Sequence, residues 1–190
     1  MSKKHPLVKK VLIDSDQIKK RTKELASQIS EYYRSQNIND NTVLLVGLLK
    51  GCIPFMAEFM NNFDYECDTD YMVMSSYQGG TKADGNPKIV LDLNSNLKGR
   101  HILILEDVID SGLTLDFVKR YFYNRQAADV KIVTLIDKPM KRKVDLQPDW
   151  SGFEIGDEFL IGFGLDYQER LRNLPYVASC DVSKLKDWKW

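Results

Sequence analysis

Ile102-Leu103-Ile104-Leu105-Glu106-Asp107-Val108-Ile109-Asp110-Ser111-Gly112-Leu113-Thr114 is the stretch on which the reading of the chain turns. Its four branched apolar residues, preceded by His101, have the pattern of a strand buried on both faces, as in a parallel sheet. Glu106 to Thr114 then reads as a strand-to-helix loop, followed by a helix from Leu115 to Arg125. In open α/β sheets, ligands bind beyond the carboxyl ends of the strands, where Glu106 and Asp107 fall. The opening turn of a helix offers unpaired N–H groups and a partial positive charge, which suit a phosphate. Ser111 and Thr114 add hydroxyls, and Gly112 lets the backbone approach closely. Carboxylates repel a phosphate, but they accept hydrogen bonds from a diol and ligate magnesium. The loop therefore suits a molecule with a phosphate at one end and a ribose-like diol beside it. It lacks the GxxxxGK[ST] spacing of a Walker A loop. Singly, Asp110 or Ser111 would read as a helix N-cap; nine contiguous residues of this kind after an apolar strand argue for a ligand.

Outward from this stretch, the spacing of Ile18, Leu25, Ile29 and Tyr32 predicts a helix over Asp14 to Asn37. Thr42 to Gly47 reads as a buried strand, followed by a turn at Lys50-Gly51 and a helix with Pro54 near its start. Tyr71 to Ser75 and Val130 to Ile136 are further strands. Lys88 to Leu93 is a returning hairpin strand across the polar, glycine-rich segment 78–87. Alternation of strand and helix predicts an α/β fold with a parallel sheet. After Asp137 the rhythm shortens to Phe153–Ile155, Phe159–Phe163 and Tyr176–Ser179. One domain is expected, with a core over about 38–137 and a small hood from about 1–15 and 138–190.

The chain has 190 residues, 43% of them hydrophobic, enough for one core without staples. Twenty-seven basic residues balance 27 acidic ones, which gives no reason to expect a nucleic-acid partner. Cys52, Cys67 and Cys180 show no metal-binding spacing and read as reduced thiols. No stretch approaches the ~20 apolar residues of a membrane span, and Met1 to Lys10 has no apolar run, so a cytoplasmic protein with no membrane association is expected.

Ile102 to Thr114 resembles the phosphoribosyl-pyrophosphate signature of the type I phosphoribosyltransferases. Leu49-Lys50-Gly51, Ser75-Ser76-Tyr77, Asp137-Lys138-Pro139 and the run from Glu158 to Tyr167 resemble, in order, the remaining motifs of the hypoxanthine-guanine branch, over roughly Leu12 to Cys180. The resemblance implies the type I phosphoribosyltransferase fold: a mainly parallel twisted sheet flanked by helices, with a small hood made from the N-terminal and C-terminal segments. It also implies a magnesium-dependent enzyme of purine salvage, a homodimer or homotetramer. Such enzymes move the 5-phosphoribosyl group from phosphoribosyl pyrophosphate to a 6-oxopurine base, hypoxanthine or guanine, giving IMP or GMP and pyrophosphate.

By the same resemblance, Asp110, Ser111, Gly112, Leu113 and Thr114 cradle the 5-phosphate. Glu106 and Asp107 take the ribose hydroxyls directly or through Mg2+, and Asp166 helps hold a second ion. Asp110 is also the catalytic proton acceptor at purine N7. Lys50, Gly51 and Arg172 serve the pyrophosphate; the peptide before such a lysine is often cis. Ser76 and Tyr77 begin a lid over the reacting centre. Lys138 donates to the 6-oxo group, Phe159 stacks on the purine, and the Leu160 carbonyl accepts from guanine's amine. Taken singly, several of these have plainer readings: Lys138 as one of a surface cluster with Lys141, Arg142 and Lys143, Phe159 as core, and Arg172 as a surface arginine. Two other classes compete. A nucleotide-sensing regulator that binds nucleic acid would tend to lose the base-pocket or lid residues kept here. A phospho-acceptor signalling domain using Asp107 or Asp110 leaves the later motifs unexplained.

Overall fold

The computed structural model describes residues 5–76 and 87–190. Within them the first helix, α1 (Ser15–Ser35), starts where a capping box fixes it. The Asp14 carboxylate accepts from the Gln17 amide at 2.9 Å, and the Gln17 side chain accepts from the Asp14 amide at 2.9 Å. Six strands form the larger sheet, in the order β4-β3-β2-β5-β6-β7. They are β2 (Val43–Leu49), β3 (Asp68–Ser76), β4 (Pro87–Leu91), β5 (His101–Ile109), β6 (Asp129–Asp137) and β7 (Trp150–Glu154). All neighbours are parallel except the edge strand β4, which pairs antiparallel with β3. Helices α2 (Ile53–Met60) and α3 (Leu113–Asn124) complete the flanking layers. A second sheet, β1-β9-β8, forms the hood from β1 (Val8–Ile13), β8 (Leu160–Ile161) and β9 (Val177–Cys180).

Alternation along β5 explains its unbroken apolar run. Leu103 and Leu105 join the core under α1 and α2, whereas Ile102 and Ile104 join the core under α3. The hood has a third, smaller core built on Leu7, Ile161, Leu171, Ala178 and Cys180.

Two expectations are corrected. Glu106 to Ile109 are strand rather than loop. The ladder to β6 runs on through Glu106↔Thr134, Val108↔Ile136 and Ile109↔Asp137, so the change in polarity marks a change of surroundings and not the end of the strand. Neither Asp110 nor Ser111 is the N-cap residue of α3; that is Gly112 at φ +79°, and the Ser111 hydroxyl accepts only a long hydrogen bond from the Leu113 amide, at 3.4 Å. Val8–Ile13, which shows little alternation, is a strand because β9 supplies its antiparallel partner. β7 also lies in the larger sheet, although its residues follow Asp137. Arg21 on α1 helps hold it there, donating to the Gly152 carbonyl at 3.0 Å and the Ser151 carbonyl at 2.8 Å. Tyr77 and segment 78–86 lie outside the described residues. No helix among the described residues is long and apolar enough to cross a membrane.

Candidate active site

Because β2, β3, β5 and β6 run parallel, their carboxyl ends share one edge of the sheet. Lys50-Gly51, Ser76, Asp110-Ser111-Gly112 and Lys138 all follow or close these strands, so four stretches distant in sequence converge there. Hood residues 159–172 approach the same edge.

The turn from β5 into α3 bounds a cleft of about 150 Å³ lined by Glu106, Ile109, Asp110, Ser111, Gly112 and Thr114. Gly112 carries the turn because a side chain at φ +79° is strained and its Cβ would lie 2.9 Å from Arg142 Cδ. Arg142 is the brace. It is nearly buried, donates to the carbonyls of Asp110 (2.7 Å) and Ile109 (3.2 Å), and pairs with Asp137 at the end of β6. The Lys143 amide adds a hydrogen bond to the Ser111 carbonyl at 2.9 Å. The surface-cluster alternative weighed for Lys138 therefore fails both for Arg142 and for Lys138 itself, whose side chain is 5% exposed.

Glu106 and Asp107 are neighbours near the carboxyl end of β5, close enough for their carboxyl groups to interact. Both are pushed up from ordinary carboxyl values, by burial first. Asp107 reaches about 6, and Glu106 goes well above its usual value, with the adjacent Asp107 charge adding to the effect. Glu106 Oε2 is buried with no hydrogen-bond partner among the described residues. Asp107 packs so closely on Gly51 that a Cβ there would lie 1.8 Å from Asp107 Oδ2. Burial, and then these same two carboxylates, push the Cys52 thiol up to about 12, which leaves it protonated and unreactive.

A second cleft, of about 230 Å³, gathers Asp107, Asp110, Lys138, Phe159, Leu160 and Asp166. Lys138 Nζ donates to the Glu158 carbonyl at 2.8 Å and lies 3.6 Å from Asp110 Oδ1. Burial pulls its pKa down, and Asp110 opposes that shift. Phe159 is 43% exposed, so it is a ring at the cleft and not the core residue of its plainer reading. It sits edge-on to Tyr167, with ring centroids 6.2 Å apart.

The third cluster is ionic. The Leu49–Lys50 peptide is cis. Lys50 Nζ meets Glu169 Oε2 at 2.7 Å. Arg172 meets Asp166 at 2.8 Å and Glu169 at 3.2 Å, and donates to the Gly164 carbonyl at 2.7 Å. Arg172 is thus embedded in a network rather than a free surface arginine. Gly164 comes so close to the lysine turn that a Cβ there would lie 1.9 Å from the Gly51 carbonyl oxygen.

The profile described as a phosphoribosyl transferase domain matches residues 12–168. The chain belongs to the phosphoribosyltransferase family. Hypoxanthine-guanine phosphoribosyltransferases of Lactococcus lactis and Bacillus subtilis are 47% and 46% identical to it over 171 residues, covering 90% of this chain and 90% and 92% of theirs. A crystal structure of hypoxanthine phosphoribosyltransferase from Staphylococcus aureus superposes with a TM-score of 0.87 at 36% identity, covering 95% of this chain and 96% of that one.

Arg142 and Glu169 were missed as site residues by the sequence reading. Arg142 bonds two carbonyls, which sequence does not display, and in sequence it reads as part of a basic cluster with Lys138, Lys141 and Lys143. Glu169 carried a faint signal: it lies three residues after Asp166 and three before Arg172.

Proposed function

We propose that this protein is a hypoxanthine/guanine phosphoribosyltransferase, a pentosyltransferase of purine salvage. It moves the 5-phosphoribosyl group of phosphoribosyl pyrophosphate to N9 of hypoxanthine or guanine, releasing pyrophosphate and giving IMP or GMP. The observation that carries this reading beyond the family is the second cleft. There a buried ammonium, an exposed aromatic ring and a carboxylate face one space beside the ribose-phosphate turn.

In this reading N9 attacks C1 of the ribose as the bond to pyrophosphate breaks, and Asp110 accepts the proton from N7. Lys138 donates to the 6-oxo group. An ammonium has only donors, so it pairs with a carbonyl and rejects the amine of adenine. Phe159 stacks on the base, and the Leu160 carbonyl accepts from guanine's amine. The turn from Asp110 through Ser111, Gly112 and Leu113 to Thr114 binds the 5-phosphate. Lys50, Gly51 and Arg172 hold the pyrophosphate, with Ser76 and Tyr77 at the root of a lid that keeps water from C1.

Among the described residues, no group of three or more His, Cys, Asp or Glu is placed to hold a metal unaided. Magnesium, however, is commonly held by one or two carboxylates together with substrate phosphates and water. The unpartnered Glu106 Oε2 and the buried Asp107 fit such an ion or a ribose diol, and Asp166 fits a second ion. When bound, magnesium supplies charge neutralisation to the pyrophosphate. The proposed setting, from the absence of a signal-like or membrane-spanning stretch in the sequence, is the cytoplasm, and the resemblance points to a homodimer or homotetramer.

The deciding experiment supplies purified protein with phosphoribosyl pyrophosphate, magnesium and each of hypoxanthine, guanine, xanthine and adenine, and follows pyrophosphate release. Turnover with hypoxanthine or guanine and none with adenine is expected; no turnover with any 6-oxopurine sinks the reading. Asp110→Asn is expected to lower turnover about 10²-fold or more while phosphoribosyl pyrophosphate still binds. Lost binding with normal residual turnover would assign Asp110 a different role.

A further inference from the structure

Between the two cations of the proposed pyrophosphate site lies a third charged group that no step of the reaction uses. Glu169 splits its carboxylate between them, with Oε2 2.7 Å from Lys50 Nζ and Oε1 3.2 Å from Arg172. The two cations come from different parts of the chain, Lys50 from the turn after β2 and Arg172 from the segment between β8 and β9. A single group whose two oxygens each engage a different cation has the bridging geometry that a diphosphate also offers. We infer that Glu169 is an internal counter-anion of the pyrophosphate site, occupying Lys50 and Arg172 until the pyrophosphate group of the substrate displaces it. The inference rests on the phosphoribosyltransferase reading above.

Three features favour displacement over a permanent brace. First, the contact with Lys50 is exposed, each side chain at 63%. Exposed pairs are weak and easily exchanged, whereas a buried pair would strand a charge when broken. Second, Arg172 keeps its place without Glu169, because it also donates to the Gly164 carbonyl and pairs with Asp166. Third, the turn that presents Glu169 does not depend on its carboxylate. Gln168 and Glu169 take positive φ, +51° and +65°, and the Glu169 amide donates to Asp166 Oδ2 at 2.9 Å. The carboxylate is therefore free to leave while the backbone stays put. An anion with several charges outcompetes one carboxylate for two cations, and a singly charged anion does so poorly. Glu169 would thus screen the empty site against small monoanions and set a threshold that pyrophosphate passes.

The test is the affinity of the full-length protein for inorganic pyrophosphate in the presence of magnesium, measured by calorimetry on wild type, Glu169→Gln, Glu169→Ala and Glu24→Gln. Glu24 is an exposed carboxylate on α1 paired with Arg21, so its variant removes the same charge elsewhere. Both Glu169 variants are expected to bind pyrophosphate about fivefold more tightly, the size of a modest ion-pair network, with Glu24→Gln unchanged. The KM for phosphoribosyl pyrophosphate should fall in parallel, and that for the base should not. Equal or weaker pyrophosphate binding in the Glu169 variants overturns the inference, since Glu169 would then be idle or would be orienting the cations. Failure of the wild type itself to bind pyrophosphate overturns both this inference and the functional reading beneath it.

Discussion

Asp107 is held where a carboxyl group is better neutral. It accepts from the Val108 amide at 2.8 Å, yet burial dominates and lifts it from an ordinary 3.8 to about 6, while Glu106 beside it moves the same way. The consequence for stability has a definite sign. Between pH 4 and pH 6 the folded state binds more protons than the unfolded chain, so stability falls as pH rises through this window. The Asp107 shift alone corresponds to on the order of 3 kcal/mol. Urea unfolding of the ligand-free protein should therefore give a lower midpoint at pH 7 than at pH 5. Asp107→Asn should flatten that slope and be more stable than wild type at pH 7, while losing activity. A slope unchanged by the substitution would mean that Asp107 titrates normally. The side chain weakens the empty fold, and its proposed role toward a cation or a diol accounts for its retention there.

At the scale of elements, the turn between β5 and α3 is held from outside by Arg142, with Asp137 and two carbonyls as its partners. Removing the arginine leaves a nearly buried carboxylate unpaired. Arg142→Met is expected to cost about 3 kcal/mol and to raise the KM for phosphoribosyl pyrophosphate, as the turn loses its support. Adding Asp137→Asn should restore part of the stability, because the stranded charge carries much of the cost; denaturant titration of the single and double variants checks this. Much of this region was legible in sequence. A long apolar run announced β5, Gly112 announced the tight turn, and the motif order placed Lys50, Lys138 and Phe159 at one edge. What stayed hidden has physical reasons. The end of β5 is set by its ladder to β6, and Arg142 by bonds to backbone. β1 exists only because β9 pairs with it, far away in sequence.

For the whole molecule, the contrast lies between two sheets of unequal backing. The six-stranded sheet is covered on both faces, whereas the hood rests on the small core around Leu7, Ile161 and Leu171. Amide exchange should show β1, β8 and β9 opening at lower free energy than β2, β5 and β6. Trp190 braces the hood loop, donating to Gln168 Oε1 at 2.8 Å, with Arg170 4.9 Å above its ring. Trp190→Ala should lower protection in the hood by about 1 kcal/mol and leave the larger sheet unchanged; an equal loss in both would show that they open as one unit.

The pairing of β1 with β9 also has a consequence for synthesis. Residues 8–13 are made well before their partners at 177–180. At about 5–20 residues per second, β1 stays single for roughly ten to thirty seconds. The turn from β5 into α3 can assemble on the nascent chain during that interval, and the hood sheet closes only once residues 177–180 have been made. The exposed Lys9 and Lys10 are charged side chains of the kind that discourage a solitary strand from pairing with other chains.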